Sequence, residues 1–189
     1  MSVHTLPRAP KSALLDVVAE ALVADPAASL ADVAAAAGIG RTTLHKQYAT
    51  RDDLMRAVAH RAIDLWSAAI DGVTDGADGG LRSLIEAMIP IGAQLAFLWR
   101  NPMFEHLPEI VDRWIAVEAR GKDIVDRAQA NGVIAAEVPQ WWLLQSLYSV
   151  IYVASESVRS GHLAPRDAPG LVLSTYLNGL GTHRPEVTA

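Results

Sequence analysis

Apolar side chains recur along this chain with the spacing of helices. In residues 9–24, Leu14, Val18 and Leu22 fall on one face at steps of four residues. The same kind of pattern predicts helices over about 29–37, 42–48, 51–71, 81–99, 108–131, 139–159 and 167–178. Pro90 is expected to break the helix over 81–99, and no convincing strand pattern appears. We therefore predict an all-α fold of about nine helices, as the 32 alanines also favour.

Capping residues mark several of the predicted boundaries. Ser29 and Thr50 are good N-caps, and each is followed three residues later by an aspartate, as in a capping box. Gly38 stands where a residue in the left-handed region would end a helix. The stretch 71–80 superficially resembles a calcium loop, but Val73 and Arg82 occupy positions that need oxygen ligands. We interpret it as a connection between helices and expect no metal.

Composition excludes several classes of protein. The 189 residues fit one domain, or a small domain joined to a larger one, and 51% of them are hydrophobic. The absence of cysteine excludes a disulfide scaffold, a thiolate zinc site and a cysteine nucleophile. No uninterrupted apolar stretch approaches the roughly 18 residues of a membrane span, and the first residues lack the apolar core of a signal peptide. These features predict a cytoplasmic protein without a membrane partner.

Net charge is divided unequally between the two parts of the chain. The whole chain carries −5, which by itself argues against a nucleic-acid partner. Residues 1–61 hold seven basic and six acidic residues, whereas residues 62–189 hold nine and fifteen. The acidity therefore belongs to the second part, and the region 41–61 is basic, with a charge of +3. Such a patch can attract DNA phosphates.

Residues 29–48 fit a helix-turn-helix motif. A short capped helix is followed by a tight turn at Gly38 and by a second short helix, while Ile39 and Leu44 face inward. In this motif the second helix presents its side chains to base edges in the major groove. An ordinary helical corner with a solvated face fits the bare pattern equally well.

The residues of this motif resemble the tetracycline-repressor (TetR) family of bacterial regulators. The likeness covers about residues 10–60 and rests on Val33-Ala34, Ala37-Gly38-Ile39, Thr43-Leu44, Tyr48 and the run from Thr50 to Leu54. The chain departs from the family pattern at Gly40, Thr42, His45, Gln47 and Arg51. The departures leave the class intact but imply an operator unlike that of better-matched members. We expect DNA contacts from Ser29, Arg41, Thr42, Thr43, His45, Lys46, Gln47, Tyr48 and Arg51.

The resemblance also implies a homodimer formed through the last two long helices. Residues 140–155 are apolar on nearly every face, which is more than one buried stripe requires. This helix is either a central core element or half of a subunit interface. We predict interface positions at Tyr152, Val153, Leu173, Tyr176 and Leu177. A dimer would present two recognition helices to a nearly palindromic operator.

A ligand pocket is implied for the second part of the chain. Most aromatic residues and two methionines lie there and can line an apolar cavity, although simple core packing explains any one of them. The predicted lining residues are Trp66, Met88, Phe97, Met103, Phe104, Trp114, Trp142, Gln145 and Tyr148. The occupant would be a small apolar or aromatic effector.

Enzyme chemistry is poorly supported. The chain has no nucleophile elbow, no phosphate-binding glycine loop and no zinc motif, and its six histidines are scattered. We expect neither enzymatic activity nor a cofactor.

The sequence thus predicts a helix-turn-helix domain over residues 1–50, linked through the helix 51–71, and a ligand-binding and dimerisation domain over residues 51–189. The predicted function is a ligand-responsive transcriptional regulator, most simply a homodimeric repressor. The alternative is a helical small-molecule-binding or adaptor protein whose helix-turn-helix no longer binds specific DNA.

Overall fold

The structure is a computed structural model that describes residues 11–180. In this range it contains nine α-helices and no strand. Their bounds are α1 Lys11–Ala24, α2 Leu30–Ala36, α3 Arg41–Gln47, α4 Arg51–Asp71, α5 Leu81–Met88, α6 Gly92–Trp99, α7 Pro108–Ala130, α8 Gln140–Arg159 and α9 Ala168–Leu180. The predicted all-α class is confirmed, although residues 9 and 10 of the first predicted helix lie outside the described residues.

Local capping explains the first helices as the sequence predicted. The Ser29 hydroxyl accepts from the backbone N–H of Asp32, whose carboxylate accepts from the Ser29 N–H. Thr50 and Asp53 form the same reciprocal pair at the start of α4. Both predicted capping boxes are confirmed, so the helices that flank the motif begin at fixed residues.

A left-handed glycine makes the turn between α2 and α3. Gly38 has φ +66°, and its N–H donates to the carbonyl of Ala35. The Ile39 N–H donates to the carbonyl of Ala34, which completes a Schellman motif. Because a Cβ at position 38 would meet nothing within 4 Å, the backbone angle is the reason for glycine here.

The break predicted at Pro90 is a short 3₁₀ segment, Ile89–Ile91, between α5 and α6. The stretch Leu81–Trp99 is long and apolar enough to cross a membrane by length and composition. However, 61% of its most apolar window is buried inside the protein, which is typical of a core helix. Close packing supports this position: a Cβ on Gly92 would lie 2.0 Å from the Oγ of Ser155 on α8.

The helices share one continuous apolar core. In this core α6 contacts α1, α4 and α8, and α4 also contacts α7. Arg61 of α4 joins α1 through two hydrogen bonds to the carboxylate of Asp16. The division of the chain at residue 50 stays a prediction, since α1 packs against α6 as closely as against α4.

We expect Gly38→Ala to lower the free energy of unfolding by about 1–2 kcal/mol, because an L side chain is strained in the left-handed region. Gly170→Ala is the matched control. Gly170 lies in α9 with open space around its Cβ position, so alanine should raise the free energy of unfolding by up to about 1 kcal/mol. Urea denaturation of both variants checks the pair. Shifts of the same sign would contradict the role given to Gly38.

Candidate nucleic-acid interface and aromatic cage

Helix α3 presents most of the side chains that the sequence predicts for DNA contact. Leu44 is buried and holds the helix against the core, as predicted. The side chains on its remaining faces are exposed at Arg41, Thr42, Thr43, His45 and Lys46 and half-buried at Gln47 and Tyr48. Among the described residues none of these seven side chains forms a hydrogen bond or an ion pair within the protein. They are available to an external polar partner.

Fewer basic side chains in residues 41–61 are free of internal partners than the net charge of +3 suggests. Arg56 forms an ion pair with Glu109 at 2.8 Å, and Arg61 is paired with Asp16. The Asp16 carboxylate also raises the pKa of Arg61 through a direct hydrogen bond. Of the five basic residues counted in 41–61, Arg41 and Lys46 are those without a partner in residues 11–180. Phosphate attraction must therefore come mainly from α3 itself.

Two other predicted contact residues are already engaged within the protein. The Ser29 hydroxyl donates to the Asp32 carboxylate at 2.6 Å, and this bond is the main reason that the pKa of Asp32 is lowered. The Arg51 guanidinium donates to the backbone carbonyls of Ala28 at 2.6 Å and Pro26 at 3.1 Å. The family resemblance predicts a DNA contact for Arg51. In the structure both terminal nitrogens of its guanidinium donate to carbonyls within the protein.

Four aromatic rings from four helices form a cluster that we call the aromatic cage: Trp66 of α4, Trp99 of α6, Trp114 of α7 and Tyr148 of α8. Trp66 is fully buried and meets each of the other three edge-on, with ring centroids 5.5–6.1 Å apart. Trp99 stacks on Tyr148 at 5.3 Å. At this point in the core α4, α6, α7 and α8 therefore meet through aromatic rings.

Polar atoms inside this cluster lack partners. The indole Nε1 of Trp66 and the hydroxyl of Tyr148 are buried, and neither makes a hydrogen bond of regular geometry. The Oε1 of Gln94 on α6 is also buried without a hydrogen bond. Burial raises the pKa of Tyr148 well above its ordinary value, and the neighbouring indole N–H of Trp66 partly opposes this shift. Gly121 of α7 leaves room for the hydroxyl, since a Cβ there would lie 2.5 Å from it. A guest with polar groups would satisfy atoms that are costly to bury alone.

A surface groove of about 180 Å³ leads to the aromatic cage. Trp99 and Tyr148 belong to both, and the groove is also lined by Ala96, Arg100, Gln145, Ser149 and Tyr152. At its rim the Arg100 guanidinium lies 4.6 Å from the centre of the Tyr152 ring. The groove therefore adjoins the Trp99 and Tyr148 side of the aromatic cage.

The structure distributes the predicted pocket residues over several places. Trp66, Trp114 and Tyr148 lie in the aromatic cage, and Gln145 lines the groove. Phe97 and Phe104 pair with each other at 5.5 Å in the core, with Met88 buried and Met103 half-buried. Trp142 lies outside: its side chain is 51% exposed because it points away from the core-facing Leu143 and Leu144. Trp99 is not among the predicted lining residues, although it lies at the end of the apolar helix predicted over 81–99.

The predicted interface residues also differ in how far they are exposed. Val153 is 61% exposed, whereas Tyr152, Leu173 and Leu177 are half-buried. Tyr176 is instead a core residue: it is 1% exposed, and its hydroxyl donates to the carbonyl of Leu143 at 2.9 Å. Its aromatic ring joins α9 to α8 within one subunit.

An all-helical chain with an exposed helix-turn-helix near its start and an aromatic cage in the larger part has the architecture of one class of protein, the one-component transcriptional regulators. Comparison with models of protein families finds no match. Two relatives in sequence are regulators. The transcriptional repressor LfrR of Mycolicibacterium smegmatis is 30% identical over 154 residues, 80% of each chain. The transcriptional regulator NfxB of Pseudomonas aeruginosa is 23% identical over 88% of this chain and 91% of its own length.

Solved structures agree with these relatives. The TetR-like regulator LfrR in complex with proflavine superimposes with a TM-score of 0.69 at 27% identity, covering 91% of this chain and 97% of its own. The ketosteroid regulator KstR2 of Mycobacterium tuberculosis shares the fold, with a TM-score of 0.67 at 18% identity over 93% and 97%. The chain belongs to the TetR family of transcriptional regulators and is not an enzyme.

Proposed function

We propose that this protein is a homodimeric repressor that binds a palindromic operator through α3 and is released by a small aromatic effector. The observation that carries the DNA-binding part is the exposed surface of α3, where side chains from Arg41 to Tyr48 have no internal polar partner. Side chains of these types hydrogen-bond to phosphates and base edges. Because Leu44 anchors the helix, they are held at a fixed place.

An exposed apolar groove between α8 and α9 supports the homodimer. The groove has a volume of about 270 Å³ and is lined by Ser149, Val150, Val153, Ala154, Leu171, Val172 and Thr175. Val153 and Leu171 are both more than half exposed. A surface of this kind is typical of a subunit interface, and a two-fold axis would pair it with its own copy.

The serines of this face do not oppose its burial. Ser149 donates to the carbonyl of Gln145 and Ser157 to that of Val153, each at 2.8 Å. Their hydroxyls are therefore satisfied by their own helix and lose little when water leaves. Trp142 lies seven residues before Ser149, hence on the same side of α8. Its exposed ring extends the proposed interface.

The aromatic cage supports the effector. Its rings come from four helices and enclose unpaired polar atoms, and relative LfrR has been crystallised with proflavine, a planar aromatic molecule. A guest that separates the rings must displace α4, α6, α7 or α8. Helix α4 extends from Trp66 back to Arg51, just after the end of the helix-turn-helix, about 22 Å away. An effector that prefers one position of α4 would change the separation of the two recognition helices in the dimer.

The alternative function is that of an adaptor or small-molecule carrier without specific DNA binding. It would follow if the operator-binding experiment below found no specific binding.

We expect Arg41→Ala and Thr43→Ala each to weaken operator binding by roughly 1–3 kcal/mol, as for a good direct contact. The free energy of unfolding should hardly change, since both side chains are exposed. Fluorescence anisotropy with DNA from upstream of the protein's own coding region, at several salt concentrations, measures the affinity.

The matched control for these variants is Arg82→Ala. Arg82 is an exposed arginine of α5 that faces Glu86 at 3.9 Å, and its loss should leave operator binding unchanged. Equal effects of all three substitutions would refute the assignment to α3. A wild-type protein without sequence preference or salt dependence would refute the repressor itself.

For the dimer, we expect Val153→Asp to produce monomers, because an aspartate would be buried without a partner in the two-fold interface. Ile115→Asp is the control: Ile115 is 58% exposed on α7, so the same change in chemistry falls outside the groove. Sedimentation velocity at several concentrations distinguishes the species. Dissociation by both variants, or by neither, would contradict the proposed interface.

For the effector, we expect Tyr148→Phe to weaken proflavine binding about 2- to 10-fold, since it removes the buried hydroxyl that the guest would satisfy. Stability should not fall, because that hydroxyl has no partner in the unliganded protein. Tyr152→Phe at the rim of the same groove is the control and should bind as wild type. Quenching of tryptophan fluorescence reports binding. Equal affinities for the two variants would place proflavine elsewhere.

A further inference from the structure

The two ends of the helix-turn-helix are joined by one side chain. Arg51 is the first residue of α4, and its guanidinium reaches Ala28, the residue directly before the N-cap of α2. A second donor of the same group binds the carbonyl of Pro26 in the turn after α1. Residues 29–50, which contain α2, the turn and α3, therefore lie between two points that Arg51 holds together.

The carbonyls that Arg51 binds have no other acceptor role. Neither the Ala28 nor the Pro26 oxygen accepts a backbone hydrogen bond among the described residues, and Ala28 is buried. The turn itself is closed by the Ala28 N–H, which donates to the carbonyl of Asp25. The bond to Ala28 is partly buried and that to Pro26 is exposed. Because a buried carbonyl without a partner is unfavourable, the bond to Ala28 is the one by which Arg51 mainly stabilises this turn.

Arg51 lies close to α3 in the sequence, so a change at Arg51 would affect α3 directly. Helix α3 ends at Gln47, four residues before Arg51, and the Thr50 capping box fixes the intervening corner. Displacing the Arg51 guanidinium would remove the polar attachment between the start of α4 and the N-terminal end of α2, and leave only apolar packing to orient α2 and α3. A shift of these two helices would move every exposed side chain of α3 together.

We propose that Arg51 is a positioning residue for operator binding, a clamp that sets the orientation of α3, and that it does not act as a phosphate contact. The proposal rests on the proposed DNA-binding function. It differs from the expectation drawn from charge alone, in which Arg51 meets the DNA backbone. Two planar donors on two carbonyls need the fork of a guanidinium, which a lysine ammonium does not provide.

Substitution by lysine separates the two roles. We expect Arg51→Lys and Arg51→Ala to weaken operator binding alike, by roughly tenfold, the scale of losing charge-assisted hydrogen bonds. The slope of log affinity against log salt should stay at the wild-type value, because no phosphate contact is lost. Affinity is measured at a temperature where circular dichroism shows every variant folded, so a role in stability alone would leave it unchanged.

Arg41 supplies the matched control, as an exposed arginine of α3 three residues before the buried Leu44. Arg41→Ala should reduce the salt slope by about one phosphate contact. If Arg51→Lys binds as wild type while Arg51→Ala lowers both affinity and slope, Arg51 contacts a phosphate and the proposal is wrong. Unchanged affinity in both Arg51 variants would equally overturn it. If Arg51→Ala does not fold, Arg51→Lys alone decides.

Hydrogen exchange of the free protein tests the clamp formed by Arg51 independently of DNA binding. In Arg51→Lys the backbone amides of residues 25–30 should lose protection without any DNA present, whereas in Arg41→Lys they should not. Retained protection in Arg51→Lys would refute the clamp. Loss of protection together with a wild-type protein that binds no specific DNA would refute the proposed function and the positioning role, but leave the clamp itself in place.

Discussion

Helix α4 is shared by the helix-turn-helix and by the aromatic cage, and its rigidity links the two. Its 21 residues contain neither glycine nor proline, so it has no built-in point of bending. Arg51 at its first position holds the start of α2, and Trp66 contacts all three other rings of the aromatic cage. A displacement of the α4 backbone at Trp66 is therefore transmitted along the helix toward Arg51.

Apolar packing and ion pairs both attach α4 to its neighbours. Toward α7 it carries exposed ion pairs, Asp64 with Arg113 at 2.5 Å and Asp71 with Arg120. Exposed pairs of this kind contribute little, about 0–1 kcal/mol each, and can exchange partners with water. The apolar contacts, which include Trp66 on Trp114 of α7, are therefore the main attachment of α4 on this side as well.

What the sequence predicted well was local. The capping boxes at Ser29 and Thr50, the turn at Gly38 and the break at Pro90 each depend on residues within a few positions of one another, and all are found in the structure. Contacts between distant segments could not be predicted in this way. Tyr176 reaches Leu143 on another helix, and Arg51 reaches back 23 residues to Ala28. Hydrophobic character and positive charge alone do not show which distant group a ring or a guanidinium contacts.

Most buried polar atoms in proteins are hydrogen-bonded, and the aromatic cage departs from this rule. The departure matters because Trp66, one of the residues concerned, belongs to α4. An indole N–H on Trp66 and a hydroxyl on Tyr148 that lack hydrogen bonds of regular geometry cost stability that a fully apolar core would not lose. Departures of this kind are expected where function opposes stability. Because one of the two atoms belongs to α4 itself, a guest that bonds to Trp66 acts on the helix that carries α3. Under the proposed function, binding energy can therefore favour one position of α4, and tight binding that did not distinguish its positions would release no DNA.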